Sequence, residues 1–183
     1  IEVVSRCIPG HPEGVHDEAT FRTAAPLVVN MAKEFEREGF NAVIVSCADD
    51  PGVPEARREL RIPVVGAGGS VAAMALSLGE RIGVIGITEN PPPAVSRILG
   101  SRIIAHAQPK GVAGTLDLLK NGVAPVVDAG LYLKSQGVEV IALACTGLST
   151  INAVGVVASA TGLVVLAEGL SAVCAVACGA EII

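Results

Sequence analysis

The chain has 183 residues, enough for one ordinary domain or two small lobes that share an interface. Hydrophobic residues make up 51% of it but aromatic ones only 2%, so its core must be built from Val, Ile, Leu and Ala, a usage suited to parallel strands buried on both faces. A formal net charge of −5 without a basic cluster excludes a nucleic-acid binder, which needs cations for phosphates and rings for base stacking.

Glu2 to Cys7 reads as a buried strand, and a Gly/Pro/His loop runs through His16. Phe21, Ala25, Val28, Ala32 and Phe35 recur at helical spacing, with Pro26 as a kink or second start and Gly39 as the stop. Ala42 to Ser46 is the next strand. After Cys47 the sequence ADDPG offers Asp50 as N-cap of a short charged helix ending near Leu60. Ile62 to Val65 is a strand, the turn GAGGS opens a helix from Ser70 to Leu78, and Gly79 ends it.

Arg81 to Ile87 is a strand leading to Thr88 and the PPP turn, followed by a helix from Ala94 to Leu99 and a strand near Arg102 to Ala105. The segment from His106 to Thr115 reads as loop. A helix ending near Gln136 leads to the strand Glu139 to Ala144. Then come Cys145, a helix capped at Ser149 or Thr150, the strand Leu163 to Leu166 and a last helix to Gly179. Residues 140–167 carry no charge, yet Thr146, Ser149, Thr150, Asn152 and several glycines break the run into shorter elements, so no membrane span is read there.

Strands alternating with helices predict an α/β fold with parallel sheets. The order also repeats. GFNAVIVSC at residues 39–47 returns as GVEVIALAC at residues 137–145, and PVVGAGGSVAAMALSLG from Pro63 overlies LVVLAEGLSAVCAVACG from Leu163. The repeat predicts two pseudo-symmetric lobes, residues 1–79 and 80–183, each a small parallel sheet flanked by helices, with the C-terminal helix packing back onto the first lobe. By the same overlay, the strand Arg81 to Ile87 and its helix have no counterpart in the first half, so a strand and a helix are expected before Ile1.

A lone strand-end cysteine is ordinarily packing. Two at matched positions are different, because each falls beyond the carboxyl end of a parallel strand, where open α/β sheets place their ligands. Facing lobes would bring Cys47 and Cys145 to opposite walls of one cleft between them.

VSCADDPG around Cys47 and LACTGLST around Cys145 resemble the two cysteine motifs of the aspartate/glutamate racemase superfamily, and within it the hydantoin racemase branch. The resemblance implies a cofactor-independent racemase, with no metal, that acts on a small amino-acid derivative such as a 5-substituted hydantoin through one cysteine from each lobe. Inversion suits such a pair: a base on one face removes the proton and an acid on the other returns one. Each thiolate is expected near the amino end of the following helix. Ala48, Gly68, Gly69, Ser70, Thr88, Thr146 and Gly147 are the candidates for holding substrate oxygens, with capping as the alternative role of Ser70 and Thr88.

Amino-acid racemases and maleate-type cis–trans isomerases of the same superfamily remain open at this point. So do a silent small-molecule binding protein and a thiol redox sensor. Glu168 stands where the first half has Gly68, which would put a carboxylate near the cleft; it reads as a helix cap, with selection of a basic or hydrogen-bond-donating substrate group as the alternative. Cys174 and Cys178 read as core, and His11 and His16 complete no ligand set. Five cysteines without a signal-peptide pattern predict free thiols in the cytoplasm. A small-molecule substrate is the expected partner, neither nucleic acid nor membrane is, and a homo-oligomer is left open.

Overall fold

The structure, a computed structural model, describes residues 2–11, 14–169 and 171–173. The first long helix, α1 (Glu18–Arg37), begins with Asp17, whose side chain accepts the Thr20 N–H at 2.7 Å while Thr20 Oγ1 accepts the Asp17 N–H in return. Pro26 lies inside α1 without ending it, and Gly39 turns the chain away at φ +90°. The strand β1 (Val43–Val45), helix α2 (Val53–Glu59) and strand β2 (Val64–Gly66) follow. β1 and β2 pair in parallel, Val43 opposite Val64. Val29 and Ala32 of α1 close over them with Val53 and Ala56 of α2.

Helix α3 (Ala67–Leu78) starts directly from β2, three residues before the predicted Ser70. It is followed by β3 (Ile82–Ile85), α4 (Pro93–Leu99), a 3-10 turn at Gly100–Arg102 and β4 (Ile103–Ala107). Two helices fill the stretch before the next strand, α5 (Thr115–Asn121) and α6 (Ala124–Ser135). Then come β5 (Val140–Leu143), α7 (Thr146–Thr150), α8 (Ala153–Thr161) and β6 (Val164–Ala167). Residues 168–169 and 171–173 are helical. The remainder of the predicted last helix, with Cys174 and Cys178, lies outside the described residues.

The second sheet is parallel throughout, in the order β4-β3-β5-β6. β3 and β5 are buried at every residue, as the unbroken apolar runs predict for central strands covered on both faces. On the overlay, β1 and β2 correspond to β5 and β6. Among the described residues nothing in the first sheet corresponds to β3.

Three expectations are corrected. Glu2 to Cys7 forms no strand and is exposed over its length, because a strand exists only through a neighbour's hydrogen bonds and no strand adjoins it. The helix after Cys145 starts at once, as α7, and a second start follows at Ala153 past Asn152, which takes φ +53°. Finally α3 leaves the half of the chain that contains it: Val71, Ala72 and Ala75 pack against Ile82, Val84, Val140 and Ala142 of the second sheet. Ser171, just past β6, also meets α3, at 3.6 Å from Met74.

Candidate active site

Cys47 stands two residues past β1 in a tight turn, its N–H donating to the Val45 carbonyl at 3.0 Å and its carbonyl accepting the Asp50 N–H at 3.1 Å. The turn requires φ +53° at Asp50. Asp50 does not cap α2, whose N-cap is Gly52. Its carboxylate reaches across to the first turn of α3, accepting the Gly68 N–H at 2.9 Å and the Gly69 N–H at 2.8 Å. Those two amides are otherwise orphaned at a helix start, so one buried side chain ties the Cys47 turn to α3.

Cys145 stands two residues past β5 and is the N-cap of α7, with its carbonyl accepting the Leu148 N–H at 2.9 Å. The Ala144 N–H donates to the Ile85 carbonyl at 2.8 Å and so fixes this strand end on β3. The expected helix start therefore adjoins Cys145 alone; five residues separate Cys47 from Val53, where α2 begins.

Both cysteines line one cavity of about 530 Å³, together with Ala48, Asp49, Thr88, Thr115 and Thr146. A second arm of this cavity runs along β1 and α1, past Val28, Met31 and Phe35, to the unpaired segment Val4 to Ile8. Gly68, Gly69, Ser70 and Gly147 are not part of its wall. The amides of Gly68 and Gly69 are taken by Asp50, and the Ser70 hydroxyl donates to the Gly66 carbonyl at 2.8 Å. Gly147 is buried behind the Cys145 sulfur. Thr88 Oγ1 donates to the Asn90 carbonyl at 2.8 Å, and His106 Nε2 lies 2.9 Å from the Thr88 carbonyl.

Thr115 escaped the sequence reading. Its Oγ1 lies 3.8 Å from Cys145 Sγ, a contact across 30 residues made by the start of α5, and only a Gly-Thr pair at a helix start signals it.

Electrostatically the site is short of positive charge. Burial pushes the Cys47 thiol up to about 12; Asp49, Glu168 and Cys145 add to this and the Asp49 N–H opposes it. Cys145 is also raised by burial, then by Glu168, against the pull of the Gly147 N–H, the Thr115 hydroxyl and the Leu148 N–H. Glu168 caps nothing among the described residues: it is 0% exposed and neither carboxyl oxygen has a hydrogen-bond partner. Burial, then Asp50 and Asp49, hold its pKa well above the ordinary carboxylate range and favour its protonated form. Among the described residues no group of three or more His, Cys, Asp or Glu could hold a metal ion, and no helix is long and apolar enough to cross a membrane.

Residues 2–176 match the family model described as Asp/Glu/Hydantoin racemase. A hydantoin racemase from Rhizobium meliloti is 27% identical over 176 residues, covering 88% of this chain and 72% of that protein. Among solved structures, allantoin racemase from Klebsiella pneumoniae superposes with a TM-score of 0.82 at 17% identity, over 92% of this chain and 71% of that one. Allantoin racemase from Pseudomonas fluorescens gives 0.81 at 24% identity, over 94% and 75%. At these identities the two superpositions show a common fold.

Proposed function

This chain belongs to the Asp/Glu/Hydantoin racemase family and is a racemase-class enzyme, and from that premise we propose that it inverts a small cyclic amino-acid derivative, a 5-substituted hydantoin or a relative such as allantoin, by two-base proton transfer between Cys47 and Cys145. The observation that carries this reading is that the two cysteines, at matched positions of an internal repeat, border the same cavity. One sulfur, as thiolate, takes the proton from the stereocentre; the other, as thiol, delivers one to the opposite face. The roles exchange with the direction of reaction.

A neutral ring is favoured over an amino dicarboxylate by the charges around the pair. Asp49 borders the cavity, and the cation that also lines it, Arg6, is bound to Glu38 by two hydrogen bonds of 2.6 Å. A second carboxylate in the ligand would find no free guanidinium there among the described residues. The Thr146 hydroxyl suits a carbonyl or N–H group of a cyclic ureide, and the Thr88 and Thr115 oxygens suit its N–H groups as acceptors.

The test is solvent-deuterium exchange at the stereocentre, followed by NMR across a panel of hydantoins, allantoin and free amino acids. Exchange with racemisation of a hydantoin or allantoin is expected. Exchange confined to aspartate or glutamate would refute the substrate class, and no exchange in any of them would leave a binding protein.

A further inference from the structure

The two sulfurs are not equivalent, and the difference lies in what each one touches. Cys145 has the N–H groups of Gly147 and Leu148 at the start of α7 and the Thr115 hydroxyl at 3.8 Å. Cys47 has only the Asp49 N–H, and the Asp49 carboxylate comes with it. A thiol can either donate to a hydroxyl or accept from it, whereas a thiolate only accepts, so the Thr115–Cys145 contact gains most when the sulfur is ionised and Thr115 donates. We infer that Cys145 is the more readily ionised of the two sulfurs, so that it acts as the base and Cys47 as the acid when a turnover begins, and that Thr115 is the positioning residue that sets this order. The inference rests on the racemase reading, which requires one base and one acid to be set before substrate arrives.

Thr115 is fixed for this role. Its Cγ2 lies 2.6 Å from where a Cβ on Gly147 would stand, with Leu118 Cδ1 3.0 Å from the same point, so a glycine is needed at 147 to let α5 approach the sulfur. Leu118, on the next turn of α5, is fully buried.

The other ionisable groups near Cys145 are Cys47 from the turn after β1 and Glu168 from the helix after β6, while Asp49, Arg6, Cys7 and His11 line the cavity. A charged Glu168 would oppose a thiolate at Cys145. Sealed without a partner beside Asp49 and Asp50, its carboxyl is held toward the neutral form, which lessens that opposition. In the turnover that follows, the C–H bond breaks as an S–H bond forms at Cys145. The Cys47 S–H bond then breaks as a C–H bond forms on the opposite face, and exchange with water restores the starting order.

Steady-state rates do not report this asymmetry. Two enantiomers of a one-centre compound are equal in energy, which forces equal kcat/KM in both directions. The thiols themselves do report it. The experiment is site-resolved alkylation with iodoacetamide from pH 7 to 11, read by peptide mass spectrometry on the intact chain, with the exposed Cys7 as reference and a profile still rising at pH 11 counted as a midpoint above it. The midpoint of each profile is compared, since the midpoint is independent of access.

Cys145 is expected to titrate below Cys47. Thr115→Val should raise the Cys145 midpoint by about one unit, a tenfold loss of thiolate at a given pH, and leave Cys47 unmoved; Thr115→Ser should restore it. A Cys47 midpoint below that of Cys145, or a Thr115→Val profile identical to wild type, overturns the inference. Should Thr115→Val fail to fold, the order of midpoints in wild type and Thr115→Ser decides. Loss of deuterium exchange in the wild type would instead sink the racemase reading and leave the thiol order standing.

Discussion

Replacing Gly68 by alanine tests how the first cysteine is held. A Cβ at position 68 would stand 2.8 Å from the Ala48 carbonyl carbon and 3.2 Å from its Cα, with the carbonyl oxygen nearer still. Ordinary carbon contacts lie at about 3.5–4.0 Å, so the backbone beside Cys47 must retreat by about 0.7 Å or more. Overpacking of this kind costs about 1–3 kcal/mol, against a gain of at most about 1 kcal/mol from better helix propensity. With the full propensity gain the net loss is about 0–2 kcal/mol, which for a chain of this length lowers Tm by up to about 8 °C. The catalytic effect should be larger than the stability effect. A misplacement of about 1 Å can cost about 10²-fold, so we expect the exchange rate to fall about 10-fold or more.

Gly69→Ala is the control, because its new Cβ would meet only the Asp50 Oδ2 at 3.1 Å and the tip of Ile98 at 3.5 Å. Thermal melts and deuterium exchange on both variants decide the matter. A Gly68→Ala protein as stable and as fast as Gly69→Ala would show that Ala48 and the Cys47 turn are not braced by α3.

Cys47→Ser and Cys145→Ser should each abolish racemisation while leaving deuterium exchange into one enantiomer, a different one for each variant; chiral chromatography with NMR checks it, and full racemisation in either variant refutes the pair. Glu168 binds a proton in the fold that the unfolded chain releases near pH 4.3. Its contribution is therefore fully present below that pH and is lost as pH rises through the folded value. Glu168→Gln should flatten this slope, so urea melts at pH 5, 7 and 8.5 should show the variant gaining on wild type as pH rises; parallel curves would mean the carboxyl is not sealed. Asp50→Ala leaves the Gly68 and Gly69 amides unpaired and should cost about 1–3 kcal/mol in the same melts, with Cys47 alkylating faster as its turn loosens. Gly155 faces open space on α8, so Gly155→Ala should stabilise by about 0.5–1 kcal/mol.

The parts of this molecule that were legible in its sequence are those whose signal is local. The apolar runs at Ile82–Ile85 and Val140–Leu143, the stop at Gly39 and the Gly/strand/Cys repeat all follow from neighbours along the chain, and the strands and turns lie where those neighbours put them. What was misread depends on distant partners. Asp50 before Pro51 looks like a local cap, yet its oxygens go to amides 18 and 19 residues on. Val3 and Val4 have strand character but lack a neighbouring strand to bond. Glu168 reads as a cap until its complete burial is known, and Thr115 acquires its meaning only from a sulfur on another element.

The crossing of α3 governs the order in which the chain can assemble. Val71, Ala72 and Ala75 find their seat on β3 and β5, and β5 leaves the ribosome some seventy residues after α3 does. Until then α3 can bury its apolar side only against β3 and α4, which follow it directly, since the two-stranded β1–β2 sheet with α1 and α2 encloses a separate cluster. Burial of that helix is a long-range event, slow to search and late to be rewarded. The nascent first half is accordingly the stretch most exposed to aggregation and most in need of a chaperone. Once α3 docks, it ties the β1–β2 half to the four-stranded sheet, so the two halves should denature in a single transition.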